Sequence, residues 1–298
     1  MTRYVITGGS GFIGHALCRR LAANGARLEV LSRDPARAAR ALPAGTRVVR
    51  RLDELARDEP LDAVINLAGE PIADARWSAA RKQRLRDSRI ALTDGLVDWM
   101  KGLSARPRVL LSASAVGFYG DQGDTIVREN SPAHPEFTHE LCSRWEQSAQ
   151  SARGLGVHVA IVRIGLVLGP GGGFLQRLLP AFRLGLGGPV GNGRQWMSWI
   201  HRDDLLALFD WLLARDELDG AFNATAPNPV TSREFARTLG RVLHRPAVLP
   251  LAAFALRAAF GEMSRLLLTG QRALPARAID SGFTFRFPDL ESALRDAL

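Results

Sequence analysis

The chain is poor in cysteine, lysine and tyrosine and has no long uninterrupted apolar run. Its two cysteines, Cys18 and Cys142, fall in segments of helical spacing, without metal-ligand spacing or a framework of pairs. That excludes a disulfide-built fold and a zinc module, and points to a reducing, cytoplasmic setting. The apolar stretch 249–260 is too short for a bilayer and carries Arg257, so it reads as an amphipathic or buried helix and no membrane association is expected. Residues 3–8 already read as a strand entering a turn, so no cleavable leader is expected ahead of the fold. Lysine occurs only at 82 and 101, so arginine carries nearly all of the positive charge behind a net +9 over 298 residues. The arginines are dispersed among Asp and Glu, with one concentration at Arg33, Arg37, Arg40, Arg47, Arg50, Arg51 and Arg57. With no zinc-finger or RNA-recognition signature beside them, they read as a basic surface, and nucleic acid is not expected as a partner.

What is present is an ordinary globular composition, 46% hydrophobic and 23% charged, which argues against disorder. Strand and helix signals alternate. Strands are expected at 3–7, 28–31, 48–49, 63–67, 109–112 and 157–163, and helices after Gly14 up to Gly25 and near 36–42, 79–101 and 139–153. Such alternation implies an α/β fold, a doubly wound parallel sheet with helices on both faces. Beyond about 164, glycine-rich loops (Gly169 to Gly173, Gly185 to Gly193) flank a helix near 174–184. A helix at 203–215, a strand at 221–225 and a helix opened by the Thr231-x-x-Glu234 box follow. The tail 250–298 reads as mainly helical with one strand, Phe283 to Phe287. Residues 1–165, joined by returning segments around 200–226, are expected to form the nucleotide-binding domain, and 166–298 the substrate-side loops and a smaller C-terminal lobe.

The strongest chemical signal is Gly9-x-Gly11-x-x-Gly14 between the first strand and the first helix. Small residues there let the chain turn tightly, let the backbone approach a pyrophosphate and let helix pack on strand. The phosphate then meets unpaired N–H groups at a helix N-terminus. Gly8, Gly9, Ser10, Gly11, Phe12, Ile13 and Gly14 are therefore expected to hold a dinucleotide, as in a Rossmann fold. The end of the second strand reads Leu31-Ser32-Arg33-Asp34. Arg33 can grip a phosphate in a two-pronged fashion and Ser32 offers a hydroxyl, so NADP(H) is expected, with Asp34 keeping NAD(H) as the alternative.

Thr7 to Gly14, Asn66-Leu67-Ala68-Gly69 and Ser112-Ala113-Ser114-Ala115-Val116-Gly117-Phe118-Tyr119-Gly120 resemble, in order and spacing, the extended short-chain dehydrogenase/reductases, the nucleotide-sugar epimerase and dehydratase superfamily. Glu70, Arg76-Trp77, Ser88-Arg89, the run Arg163 to Gly173, and Gln195 to His201 are similar to its atypical epimerase-family branch, and residues 261–294 to the short domain that closes it. The resemblance implies that Asn66, Leu67, Ala68, Gly69 and Arg163 also face the cofactor. It further implies redox or epimerisation chemistry on a small polar molecule.

The superfamily's catalytic pair is a Tyr followed four residues later by a Lys, whose charge lowers the phenol's pKa. Tyrosine occurs only at 4 and 119, and Gly8 and Gly123 stand four residues on. The pair is absent; by analogy Thr138 and Cys142 occupy its approximate positions, and neither can do that work. Three other groups are candidates: Ser114, in the place of the superfamily's catalytic Ser/Thr, to orient a substrate oxygen; Tyr119 as a displaced acid; and Glu70 as a carboxylate base. Arg163, Arg194, Trp196, Trp199 and His201 border the glycine-rich loops, where Arg suits an anionic and Trp a sugar-like substrate, although for the tryptophans core packing is the favoured reading. His201-Arg202-Asp203-Asp204 reads as a helix start capped by an Asp, and no metal site is expected. The missing pair also supports another class, a catalytically silent dinucleotide sensor acting on a protein partner, since some members of the branch carry cell-division labels. A homodimer is left open.

Overall fold

The computed structural model describes residues 2–298. Seven parallel strands form its main sheet: β1 (Arg3–Thr7), β2 (Arg27–Leu31), β3 (Arg47–Val49), β4 (Ala63–Asn66), β5 (Val109–Ala115), β6 (His158–Ile164) and β7 (Gly220–Ala224), in the spatial order β7-β6-β5-β4-β1-β2-β3. The order reverses between β1 and β4, where crossovers leave toward opposite edges and open a crevice at the carboxyl ends of the strands. This is the doubly wound sheet that the alternation implies.

The period of two along each strand sends neighbouring side chains to opposite faces. Val5, Val64, Leu110 and Ile161 enter one core with Leu96, Val97 and Met100 of α4 (Leu92–Lys101). Ile6, Ile65, Leu111 and Val162 enter the other, with Leu17 and Leu21 of α1 (Phe12–Ala23) and Leu205, Leu208 and Phe209 of a later helix, Arg202–Leu213. A third cluster joins Leu168 and Trp199 to the helices Gly173–Arg183, Ser232–Leu243 and Leu290–Ala297. Among the described residues, no helix is long and apolar enough to cross a membrane. The Thr231 and Glu234 side chains cap the helix Ser232–Leu243 reciprocally, as the box predicts.

Two elements differ from expectation. The segment 79–101 is not one regular helix: α3 (Ala79–Arg86) passes through a π turn, Asp87–Ala91, before α4. Phe283 to Phe287 is no strand. Its backbone N–H groups at Arg286 and Phe287 donate to the Asp204 carboxylate, each at 2.9 Å, and Phe283 and Phe287 are buried anchors. A short parallel pairing not foreseen, Arg272–Ala273 beside Ile126–Val127, ties the tail to the loop after β5.

Gly95 lies inside α4, and a Cβ placed on it meets nothing within 4 Å. Replacing a helical glycine in open space removes backbone entropy from the unfolded chain, so Gly95→Ala is expected to stabilise the protein by about 0.5–1 kcal/mol in urea unfolding.

Candidate active site

The glycine turn is built by sterics. Gly8 has φ +70°, and a Cβ there would lie 2.7 Å from the Leu67 carbonyl at the end of β4. A Cβ on Gly9 would meet the Val30 side chain at 2.9 Å, and one on Gly14 the Gly8 oxygen at 2.2 Å. The chain therefore packs backbone against backbone at the mouth of the crevice. Gly11 precedes α1 in extended conformation and supplies no side chain to cap it, and the first turn carries no acidic residue. The first N–H groups of α1 are left aimed at the crevice, with the positive end of the helix dipole behind them. Such an opening has the chemistry that suits a diphosphate.

At the end of β2 the two candidate readers of the ribose part company. Asp34 Oδ1 accepts from the Arg37 N–H at 3.1 Å and caps α2 (Pro35–Ala41), so one carboxylate oxygen serves the fold. Arg33 is 87% exposed and free to meet a ligand on all but one edge, where Nη1 donates to Glu70 Oε1 at 3.2 Å. Ser32 bonds within its own turn, to Asp34 N and O.

The expected cofactor role of the Asn66 side chain needs correction. It is fully buried, accepts from Thr7 Oγ1 at 2.7 Å, and donates to Thr93 Oγ1 at 2.8 Å and Ser112 Oγ at 3.2 Å. It ties β4 to its neighbours, while the Leu67 and Ala68 N–H groups that follow donate to the Thr7 carbonyl and Oγ1 at the end of β1. Gly69 must be small, because a Cβ there would meet the Arg89 guanidinium at 2.8 Å.

Arg163 is also not where a cofactor contact is expected. Its guanidinium is buried and grips Glu146 of α5 (Phe137–Gln150) with two 2.9 Å bonds, Nε to Oε1 and Nη2 to Oε2. Nη1 donates to the Tyr119 hydroxyl at 2.9 Å and to the Glu129 carbonyl at 3.0 Å. The Tyr119 hydroxyl donates to Asn223 Oδ1 at 2.7 Å. Burial pushes this phenol up to about 12, despite the opposing pull of Arg163, and the fully buried hydroxyl spends its proton on Asn223 inside the fold, which does not fit the displaced acid expected of Tyr119. Ser114 meets the same network, donating from Oγ to Glu146 Oε1 at 2.7 Å. Its one proton is thus spoken for, and its oxygen keeps acceptor capacity only. Glu146 belongs to no motif of its own, and the one signal that points to it is its spacing, four residues after Cys142 and eight after Thr138 on one face of α5. Burial pushes the Cys142 thiol up to about 11, so it stays neutral and brings no positive charge to the place of the missing amine.

Glu70 departs from its expected role as a base. Its carboxylate is held by Arg33 and by Arg81 of α3. Partial burial alone would raise it, but hydrogen bonds and charge from the two arginines outweigh that and hold it below the ordinary glutamate value. A carboxylate so stabilised is a poor proton acceptor.

The residues bordering the glycine-rich loops divide. Trp199 is fully buried and donates to the Asn228 carbonyl, a core residue. Trp196 is half-buried, bonded to Asp124 and covered by the Arg272 guanidinium at 4.2 Å, and Arg194 is exposed. His201, not an Asp, caps the helix Arg202–Leu213: Nδ1 accepts from the Asp203 N–H at 3.2 Å. Asp203 and Asp296 stand close enough to share an ion with this imidazole. With Nδ1 used as acceptor, however, the neutral ring carries its proton on Nε2, 3.3 Å from Asp296 Oδ2, where a metal would need a lone pair.

Residues 4–224 match the NAD dependent epimerase/dehydratase family, and residues 251–297 match a domain of unknown function, DUF1731. An Arabidopsis thaliana protein, epimerase family protein SDR39U1 homolog, chloroplastic, is 42% identical over 296 residues, which is 97% of this chain and 85% of that protein. Epimerase family protein YfhF of Bacillus subtilis is 37% identical over 294 residues, 97% of this chain and 95% of that one. The crystal structure of human epimerase family protein SDR39U1 (isoform 2) with NADPH superposes with a TM-score of 0.89 at 34% identity, covering 99% of each chain.

Proposed function

Because the chain belongs to the NAD dependent epimerase/dehydratase family, we propose that it binds NADP(H) in the crevice between β1 and β4 and serves as an oxidoreductase or epimerase for a small polar, anionic or sugar-like substrate. The observation that carries the cofactor choice lies after β2: Asp34 Oδ1 is engaged in capping α2, while Arg33 offers a free guanidinium edge that suits a phosphate. The diphosphate would be held by the N–H groups opening α1, the 2′-phosphate by Arg33, and the remainder by the backbone from Leu67 to Gly69. When bound, NADP(H) supplies a hydride donor or acceptor. The human relative was crystallised with NADPH, in keeping with this choice.

Ser114 is the substrate-facing group on this reading. Because Glu146 takes its proton, Ser114 Oγ can accept a hydrogen bond from a substrate hydroxyl but has none to give a carbonyl. It orients the alcohol form of a substrate.

The test is calorimetric titration with NADPH and NADH. Arg33→Ala is expected to weaken NADPH by about 10- to 100-fold, the loss of a charge-assisted contact of about 1.5–3 kcal/mol, and to leave NADH nearly unchanged. Equal weakening of both nucleotides rejects the assignment. A second reading, a silent NADP(H) sensor, draws support from the high Tyr119 and Cys142 pKa values, about 12 and about 11, which leave neither group to move a proton near neutrality. Following NADPH absorbance with a panel of aldehydes, ketones and nucleotide sugars separates the two, because a sensor binds without turnover.

A further inference from the structure

The loop after β4 is fixed with more care than a surface turn needs. The π turn between α3 and α4 brings two successive side chains onto Glu70: the Glu70 N–H donates to Ser88 Oγ at 3.1 Å, and Arg89 Nη2 donates to the Glu70 carbonyl at 2.9 Å. Inserting one residue into a helical turn re-aims the side chains around it, and such turns recur at functional sites. The Glu70 side chain is fixed as well, since Oε2 accepts from Arg81 Nη1, and Arg81 Nη2 donates to the Pro71 carbonyl. The three charges are graded in exposure: Arg81 is 9% exposed, Glu70 21% and Arg33 87%. A buried cation thus anchors a half-buried anion, which in turn reaches an exposed cation.

The topology gives this chain of charges a direction. β1 lies between β2 and β4, so the bond from Arg33, after β2, to Glu70, after β4, spans the carboxyl end of β1, where the glycine cradle opens. Only Arg33 Nη1 is engaged, and among the described residues the Nε–Nη2 edge has no partner. That edge is the one a guanidinium uses to take two phosphate oxygens at once.

We propose that Glu70, braced by Arg81, is a positioning residue for 2′-phosphate recognition: it orients the Arg33 guanidinium across the cradle so that its outer edge meets the phosphate, a role that rests on the NADP(H) reading above. A long exposed arginine loses most of its rotamer freedom when it grips a ligand, and an anchored partner removes part of that cost beforehand. Arg81 keeps the cluster net positive, so the anion orders Arg33 without leaving the site negative toward a phosphate.

The experiment measures NADPH and NADH affinities by calorimetry for the wild type, Glu70→Ala, Arg33→Ala and the double variant. NADH serves as an internal control for folding and for the diphosphate cradle. Glu70→Ala is expected to weaken NADPH about fivefold, the size of a partly exposed ion pair, with NADH unchanged. In the Arg33→Ala background the same substitution is expected to change nothing, since the residue acts through Arg33. Glu70→Gln, which keeps the acceptor oxygen and loses the charge, is expected to fall between. Equal weakening of both nucleotides makes Glu70 a structural loop residue and overturns the proposal. Tighter NADPH binding overturns it the other way, making Glu70 a competitor for Arg33. If Arg33→Ala itself leaves the NADPH preference intact, the cofactor assignment fails first, a result readable from the single variant alone.

Discussion

Gly14→Ala is expected to lower NADPH and NADH affinity together by about 100-fold or more, the equivalent of losing two charge-assisted hydrogen bonds to a diphosphate. The added methyl would stand 2.2 Å from the Gly8 carbonyl oxygen and 2.8 Å from the Gly9 Cα. Both obstacles are backbone atoms of the turn itself, so no rotamer relieves the clash. Either α1 slides away from β1 or the turn opens, and each movement takes the helix N–H groups off the site. Overpacking of this kind costs about 1–3 kcal/mol of stability. Calorimetry with both nucleotides and a urea titration read the two effects separately. The parallel loss of NADPH and NADH distinguishes this variant from Arg33→Ala, which discriminates between them. Wild-type affinity in Gly14→Ala would show that the nucleotide lies elsewhere.

The same turn shows why part of this fold is legible in the sequence. Its constraints are local: Gly8, Gly9, Gly11 and Gly14 contact one another and the strand ends beside them, so spacing alone announces the geometry. The strands read well for a similar reason. Val5 and Ile6, or Leu110 and Leu111, are apolar in succession because both faces of a parallel sheet are covered. What escaped depends on partners remote in sequence. The aromatic alternation from Phe283 to Phe287 mimics a strand, but the Asp204 carboxylate, 82 positions before Arg286, takes its N–H groups. The π turn at Asp87–Ala91 leaves no mark in a segment whose residues all tolerate a helix. Among the candidate site residues, Arg33 draws its expected role from its strand-end position, and the fold leaves one edge of its guanidinium free. Arg163, Tyr119 and Glu70 carried the right chemistry in the right neighbourhood, yet each is bound to a charged or polar partner that only the folded chain supplies. Asp34 is the instructive intermediate. Its place before Pro35 already hints at a helix cap, and the fold uses one of its oxygens for that local duty.

Those remote partners set the largest effect on stability. Arg163→Ala is expected to destabilise the protein by about 3–5 kcal/mol, because it strands a buried carboxylate. Glu146 would keep only the Ser114 hydroxyl, having lost both 2.9 Å bonds from the guanidinium. Tyr119 would lose its donor, the Glu129 carbonyl another, and the Phe118 ring the cation now 3.4 Å from its centroid. For a chain of this size that loss corresponds to a fall of roughly 5–10 °C in Tm. Calorimetric melting checks the single variant, and a second one tests the cause. Removing both charges, with Glu146→Leu beside Arg163→Met, leaves no unpaired ion, so the double variant is expected to be more stable than Arg163→Ala despite carrying two changes. If instead the double variant melts lower than the single one, the network's worth lies in packing around Tyr119 and not in the ion pair. The double variant also frees the Ser114 proton that Glu146 now holds. Any turnover found with the wild type should then shift its substrate preference from alcohol toward carbonyl, because Ser114 regains a hydrogen to donate.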